Sequence, residues 1–195
     1  MFQNMKKLIS ILPAILILII FGMSVYNVKT DPDYKTADIL NEAIEKGDLL
    51  TVKTIIGKDK KFLAFTKPAL NEAVFNCQLE ITKYLIKMGA KVNHKSGRHN
   101  STALHVAAYR CDNAEIINLL IRNGAEIDIK NDQSETPLML ASENGNIKAM
   151  KVLIDNGANV NARSRVYGTP VDYAKRSNAI NAIDFLKQQE AKINQ

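Results

Sequence analysis

Residues 136–145 read Thr136-Pro137-Leu138-Met139-Leu140-Ala141-Ser142-Glu143-Asn144-Gly145. A threonine hydroxyl can cap a helix N-terminus, and a proline at the first helical position loses an N–H group that has no partner there. The glycine ends the helix, because it adopts positive φ more readily than other residues. Apolar residues at helical spacing follow, and Gly157 ends them. The pattern predicts two short helices joined by a tight turn.

The same unit recurs along the chain at a nearly constant interval. Its first-helix apolar residue returns after 34, 34 and 33 residues, at Leu70, Leu104, Leu138 and Val171. Its closing glycine returns after 35 and 33 residues, at Gly89, Gly124 and Gly157. A period of this length indicates a stacked repeat array. One short helix pair cannot bury its own apolar face, so we expect neighbouring pairs to bury it together.

These motifs resemble those of the ankyrin repeat family, in which the first helix opens with Thr-Pro-Leu-His-x-Ala. Segments that begin at Thr102, Thr136 and Thr169 match this motif with substitutions. Segments that begin at Gly89, Gly124 and Gly157 match the family's Gly-Ala-x-Val-Asn/Asp exit. The resemblance implies an all-α solenoid of helix-turn-helix repeats with hairpin-like loops over residues 36–195. About five repeats are expected, near residues 36–66, 67–100, 101–134, 135–167 and 168–195.

The N-terminal part has a different composition. Residues 1–7 are polar and basic, residues 8–26 are uncharged and rich in isoleucine and leucine, and residues 27–35 form a polar linker. The uncharged segment approaches the roughly 20 residues of a membrane-spanning helix, whereas the apolar part of a signal peptide usually has about 7–15 residues. We therefore expect one N-terminal hydrophobic helix that anchors the chain in a membrane. A cleaved signal peptide is the alternative.

The charges beside this segment predict its orientation. Lys6 and Lys7 precede it, and the two lysines that follow are offset by Asp31 and Asp33. The positive-inside rule then keeps the N-terminus in the cytoplasm and turns the repeats outward. Abundant lysine, asparagine and isoleucine suggest a bacterial source. We expect the repeats on the periplasmic side of the cytoplasmic membrane, or in the periplasm or medium after cleavage.

The net charge of +6 is modest for this length. Residues 1–26 hold two of the 26 lysines and arginines and none of the 20 acidic residues, which leaves +4 on the rest of the chain. The sequence contains no lysine and arginine run of the kind that marks a nucleic-acid patch. We therefore expect no nucleic-acid partner.

The two cysteines stand one repeat apart. Cys77 and Cys111 occupy the turn between the helices of a repeat, where Gly47 and Gly145 stand in other repeats. Stacked helices lie roughly 8–10 Å apart, whereas a disulfide needs Cα atoms within about 7 Å. One extra residue beside Cys111 can bring the turns closer, and an oxidising compartment favours the bond. A disulfide and two unbonded turn residues remain the alternatives.

The sequence offers no complete catalytic or metal-binding pattern. His105 stands at the family's Thr-x-Leu-His position, which the resemblance makes a structural hydrogen-bonding site between repeats. His94 and His99 share a loop, but no acidic residue or cysteine is near enough in sequence to complete a metal site. No nucleophile elbow, phosphate-binding loop or zinc-protease motif occurs. We predict no enzymatic activity, no cofactor and no metal.

The surface should therefore carry the function. The resemblance implies that partners bind the loop tips and the exposed positions of the first helices. Candidate partner-binding residues at these positions are Phe75, His94, Lys95, Arg98, Tyr109, Arg110, Asp128, Lys130, Glu143, Arg163, Arg165 and Tyr167. Tyrosine and arginine are typical interface anchors, and positive flanks around a mixed centre favour a protein partner with acidic ridges.

Two functions fit a binding surface of this kind. The chain can be an inhibitor or immunity-type protein for an envelope toxin or hydrolase, or a scaffold or accessory factor for an envelope enzyme. An enzyme built on the repeat scaffold is the alternative class, and the absence of a catalytic constellation in the sequence argues against it.

Overall fold

The computed structural model describes residues 32–65, 69–111 and 113–193. Within these ranges the regular structure is helical, apart from one isolated bridge between Ser96 and Ser101. No helix in these ranges is both long and apolar enough to cross a membrane. The hydrophobic helix predicted for residues 8–26 lies outside the described residues. Residues 40–195 form one compact unit, and the first described helix begins before that unit.

The helices of this unit come in pairs. The described part of the chain opens with α1 (Pro32–Lys46), α2 (Leu49–Lys58) and the single-turn α3 (Phe62–Phe65). Four short helices, called the inner helices, follow as α4 (Ala69–Phe75), α6 (Ala103–Arg110), α8 (Pro137–Glu143) and α10 (Pro170–Arg176). Each is succeeded by an outer helix, namely α5 (Leu79–Lys87), α7 (Ala114–Arg122), α9 (Ile147–Asp155) and α11 (Ile180–Ile193).

Packing between pairs holds these short helices in place. Each inner helix packs against the inner helix of the next pair, and the outer helices stack likewise. The recurring Leu70, Leu104 and Leu138 are buried in this stack, together with Ile117 and Leu153 from the outer helices. Inner helices of seven or eight residues would be marginal alone in water. The stack therefore supplies most of their stability.

A threonine begins each of three inner helices, and the side chain three residues later accepts a hydrogen bond from the threonine backbone N–H. The three pairs are Thr102 with His105, Thr136 with Met139, and Thr169 with Asp172. The acceptors are a ring nitrogen at 3.2 Å, a sulfur at 3.3 Å and a carboxylate oxygen at 3.0 Å. Three different side chains thus close the same capping box, so the departures from the family motif leave the helix starts intact.

The asparagine or aspartate that ends a repeat binds the exit of the next repeat. The Asn93 side chain donates to the Gly124 carbonyl at 2.8 Å and accepts from the Glu126 N–H at 3.0 Å. In the next repeat the Asp128 carboxylate accepts from the Asn159 N–H at 3.2 Å. The exit motif therefore joins consecutive repeats along one edge of the stack.

The turns between inner and outer helices are alike except in one repeat. Gly47, Gly145 and Asn178 take positive φ there, and so does Cys77, at 54°. Cys111, beside the extra residue of its repeat, instead has an extended backbone with φ −100°.

The structure joins Cys77 and Cys111 by a disulfide, with their Cα atoms 5.6 Å apart. This separation lies within the range for disulfides and is shorter than the usual distance between stacked helices. Cys77 follows the end of α4 by two residues, and Cys111 directly follows α6. The bond therefore links the C-terminal ends of two adjacent inner helices.

Replacing both cysteines by serine should lower the free energy of unfolding by about 3–4 kcal/mol, because the bond closes a 34-residue separation in the unfolded chain. Urea denaturation of the oxidised protein measures the difference. The reduced wild-type protein should behave like the double variant. An unchanged urea midpoint in the double variant would contradict a stabilising cross-link.

Gly124→Ala should lower the free energy of unfolding by about 1–2 kcal/mol, since φ is +86° there and only backbone strain opposes the new methyl group. Gly57, inside α2, provides the matched control. Its added Cβ would lie 3.7 Å from the Tyr84 hydroxyl oxygen, and Gly57→Ala should leave stability equal or raise it by up to about 1 kcal/mol. Equal losses at both positions in a urea titration would be inconsistent with the register of the repeats.

Candidate functional site

A groove of about 780 Å³ runs along the inner helices and is bordered by the loops that precede them. The aromatic residues Phe75, Tyr109 and Tyr167 line it and are 40–44% exposed. Large apolar side chains that stay exposed and gather in one groove are typical of an interaction site. This groove is therefore the candidate functional site.

One repeated position supplies much of the groove. Phe75, Tyr109, Glu143 and Arg176 stand near the C-terminal ends of four successive inner helices, at intervals of 34, 34 and 33 residues. All four line the groove. The repeat geometry fixes the position of these side chains in the groove, whereas the residue type differs from one repeat to the next.

Two arginines in the groove stack on aromatic rings. The guanidinium carbon of Arg110 lies 4.2 Å from the centre of the Phe75 ring, and that of Arg176 lies 4.0 Å from the centre of the Tyr167 ring. Arg176 also forms an ion pair with Glu143. Stacking on an aromatic ring orients a guanidinium and leaves its N–H edge available for an acceptor.

The buried Glu135 joins the groove wall to the last inner helix. Its carboxylate accepts hydrogen bonds from the Tyr173 hydroxyl at 2.9 Å and from the Asn131 amide at 2.8 Å. The Tyr173 hydroxyl also lies 2.9 Å from the hydroxyl of Ser164 in the next loop. Burial raises the pKa of the Tyr173 hydroxyl, so this group remains a hydrogen-bond donor at neutral pH. Two consecutive loops and α10 are thus held together.

His105 connects this network to the preceding repeat. Its Nδ1 accepts from the Thr102 N–H at 3.2 Å, so the proton is assigned to Nε2, which donates to the Glu135 carbonyl at 3.0 Å. Burial lowers the pKa of His105 and keeps the ring neutral. Both ring nitrogens are occupied, and the side chain has the structural role that the resemblance implied.

The tips of the loops are bonded to one another. The Asp132 backbone N–H donates to the His99 carbonyl at 3.0 Å, and the Asn100 amide donates to the Asp132 carboxylate at 2.8 Å. The Arg165 N–H donates to the Gln133 carbonyl at 3.2 Å. These contacts fix three consecutive loops against each other and make the wall of the groove continuous.

The structure divides the predicted binding residues into two sets. Six of them line the groove, namely Phe75, Arg98, Tyr109, Arg110, Glu143 and Tyr167. The other six lie on the loop segments outside its lining, namely His94, Lys95, Asp128, Lys130, Arg163 and Arg165. Within this second set, the Lys95 ammonium donates to the Lys130 carbonyl at 2.7 Å. The Asp128 carboxylate accepts the hydrogen bond from the Asn159 N–H that joins two repeat exits.

The groove also contains residues outside the twelve candidates, among them Glu72, Glu135 and Arg176. Arg176 had a sequence signal, because it shares the repeat position of Phe75 and Tyr109. Nothing in the sequence indicated the buried position of Glu135, since that position depends on the packing of Tyr173 from the next repeat. Within residues 32–65, 69–111 and 113–193, no group of three or more histidine, cysteine or acidic side chains could hold a metal ion.

The chain matches the family described as "Ankyrin repeats (3 copies)" over residues 40–131 and 104–195. The chain belongs to the ankyrin repeat family. Ankyrin repeats are modules of protein–protein interaction, and the groove described above is built from their inner helices and loops.

Three relatives illustrate what the ankyrin array resembles. It is 35% identical over 124 residues to the Caenorhabditis elegans ankyrin repeat and KH domain-containing protein mask-1, covering 63% of this chain and 5% of that protein. It is 37% identical over 100 residues to human protein phosphatase 1 regulatory subunit 27, covering 48% and 62%. It is 28% identical over 116 residues to mouse ankyrin repeat and SOCS box protein 11, covering 57% and 35%. The chain thus matches less than two thirds of the length of each relative.

The ankyrin array should lose stability as the pH falls below about 6.5. The pKa of folded His105 lies below the ordinary 6.5, so the unfolded chain takes up its proton first as the pH falls from 6.5 toward the folded value. Above pH 6.5 the neutral ring makes its full contribution to the free energy of unfolding. Asp172, whose pKa is held below 3.8 by Thr169, does not titrate within it.

Urea denaturation between about pH 5 and pH 7.5 measures this slope. His105→Gln cannot titrate and should be less stable at pH 7.5 but lose the slope. The same slope in both proteins would show that His105 is not its source.

Proposed function

We propose that the chain is a non-catalytic interaction module that holds a segment of a partner protein in the groove. The observation that carries the proposal is the gathering of Phe75, Tyr109 and Tyr167, all exposed, in one groove with a hydrogen-bonded frame. Aromatic anchors of this kind contribute much of the affinity of protein interfaces, and a rigid frame reduces the entropy lost on binding.

The partner is proposed to belong to the cell envelope. The uncharged residues 8–26, preceded by Lys6 and Lys7, support an anchor with the repeats on the outer side of the cytoplasmic membrane. The disulfide between Cys77 and Cys111 is in keeping with an oxidising compartment such as the periplasm. A soluble periplasmic or secreted form after cleavage is the alternative.

Two roles fit a module of this kind. One is an inhibitor or immunity-type protein that occupies an envelope toxin or hydrolase, and the other is a scaffold or accessory factor for an envelope enzyme. One relative is by name a regulatory subunit of protein phosphatase 1, and a regulatory role toward an enzyme is what both proposed roles share. The identity of the partner would separate the two roles.

Tyr109→Ala should weaken partner binding about thirtyfold or more, as expected when an aromatic anchor at the centre of an interface is removed. Affinity capture from an envelope extract of the source organism, with the full-length chain as bait, provides the partner for this measurement. Leu50→Ala is the matched control, because Leu50 is 76% exposed and does not line the groove.

The wild-type and Leu50→Ala baits should capture the same protein in stoichiometric amount, and the Tyr109→Ala bait should lose it. A partner that all three baits retain, or that both variants lose equally, would argue against binding in the groove.

A further inference from the structure

The groove holds two stacked arginines, and only one of them has a carboxylate of its own. Arg176 lies over Tyr167 and is paired with Glu143. Arg110 lies over Phe75 with the same stacking, yet it forms no ion pair with any residue that the structure describes. The Arg110 arrangement therefore lacks the carboxylate partner that Glu143 provides for Arg176.

A glutamate that lines the same groove does not fill this position. Glu72 lies one helical turn before Phe75 and lines the same groove. Its carboxylate accepts a hydrogen bond from the Asn76 amide at 3.3 Å, and that amide also donates to the Glu72 carbonyl at 3.0 Å. The Glu72 side chain is therefore bonded to its own helix and not to Arg110.

A second guanidinium that forms no ion pair with the described residues lies in the same part of the groove. Arg98 is exposed on the loop that the Ser96–Ser101 bridge closes, and it lines the groove with Arg110. Toward α8 and α10 the charges are different, because Arg176 is paired with Glu143. Free positive charge is thus concentrated beside α4 and α6.

We propose that the segment held in the groove is acidic, and that one of its carboxylates binds Arg110 as Glu143 binds Arg176. A second carboxylate reaches Arg98, and an aromatic or aliphatic side chain of the segment packs on Phe75 and Tyr109. Because stacking already orients the Arg110 guanidinium, its N–H edge can donate two parallel hydrogen bonds to a carboxylate. This inference rests on the proposed function and specifies the chemistry of the partner.

Part of this attraction is protected from solvent. Ion pairs that stay exposed contribute little to binding. In the groove, the Phe75 ring covers one face of the Arg110 guanidinium, and a bound segment would cover much of the rest. A charge-assisted hydrogen bond in such a setting is worth about a tenfold change in affinity or more.

A library of random dodecapeptides displayed on phage tests the proposal and does not require the partner itself. The baits are the full-length chain in a mild non-ionic detergent, its Arg98→Glu/Arg110→Glu variant, and a matched Arg122→Glu/Lys151→Glu variant. Arg122 and Lys151 are exposed and lie outside the groove, and each double variant replaces two positive side chains by two negative ones.

The wild-type and matched baits should enrich peptides that combine aspartate or glutamate with an aromatic or aliphatic residue, and the groove variant should lose these peptides. A selected peptide, measured by fluorescence polarisation, should bind Arg98→Glu/Arg110→Glu at least about tenfold more weakly. Glu72→Gln removes a competing negative charge and should tighten binding of the same peptide, an effect that loss of folding cannot imitate.

The outcomes separate the inference from the proposed function. Non-acidic peptides that the wild-type chain enriches and its Tyr109→Ala variant does not bind would leave the groove as the binding site and overturn the acidic partner. Acidic peptides that bind the groove variant and the matched variant equally would also overturn it, since the attraction would then be to overall charge. If no enriched peptide depends on Tyr109, the proposed use of the groove fails as well.

Discussion

The hydrogen bond from His105 Nε2 to the Glu135 carbonyl is the contact on which the groove depends, because it joins one inner helix to the loop of the next repeat. Inner helices of seven or eight residues cannot hold a fixed position alone. The Glu135 carboxylate extends the connection to Tyr173, so the frame spans three consecutive repeats. The frame fixes the backbone that carries the exposed aromatic side chains. These side chains would therefore lose little conformational entropy if a partner bound in the groove.

The repeat separates positions that build the stack from positions that are free to vary. Leu104 and Leu138 are buried at one position, and any polar substitute there would disrupt two repeats. Near the helix ends, Phe75, Tyr109 and Glu143 share another position that stacking constrains much less. The chemistry of recognition can change at this position while the fold stays the same, which is why the family alone does not name the partner.

The helices and their ends could be predicted from the sequence because their signals are local. A threonine before an apolar stretch and a glycine after it act within one turn of helix, whatever surrounds them. The Cys77–Cys111 distance could not be decided, because it depends on the altered turn at Cys111. The Arg110–Phe75 stack and the buried Glu135 depend on side-chain packing between repeats. A sequence period locates a loop such as that of Arg163 and Arg165 but does not tell which side faces the groove.

The position of a bound segment would show whether the groove is the binding surface. An amide-resolved NMR titration of the labelled full-length chain with a selected acidic peptide would locate it. Binding in the groove should shift amide signals at the ends of α4 and α6 and in the loop of residues 96–101, with saturation at one peptide per chain. Shifts concentrated on the outer helices α5, α7 and α9 would contradict the groove as the binding surface.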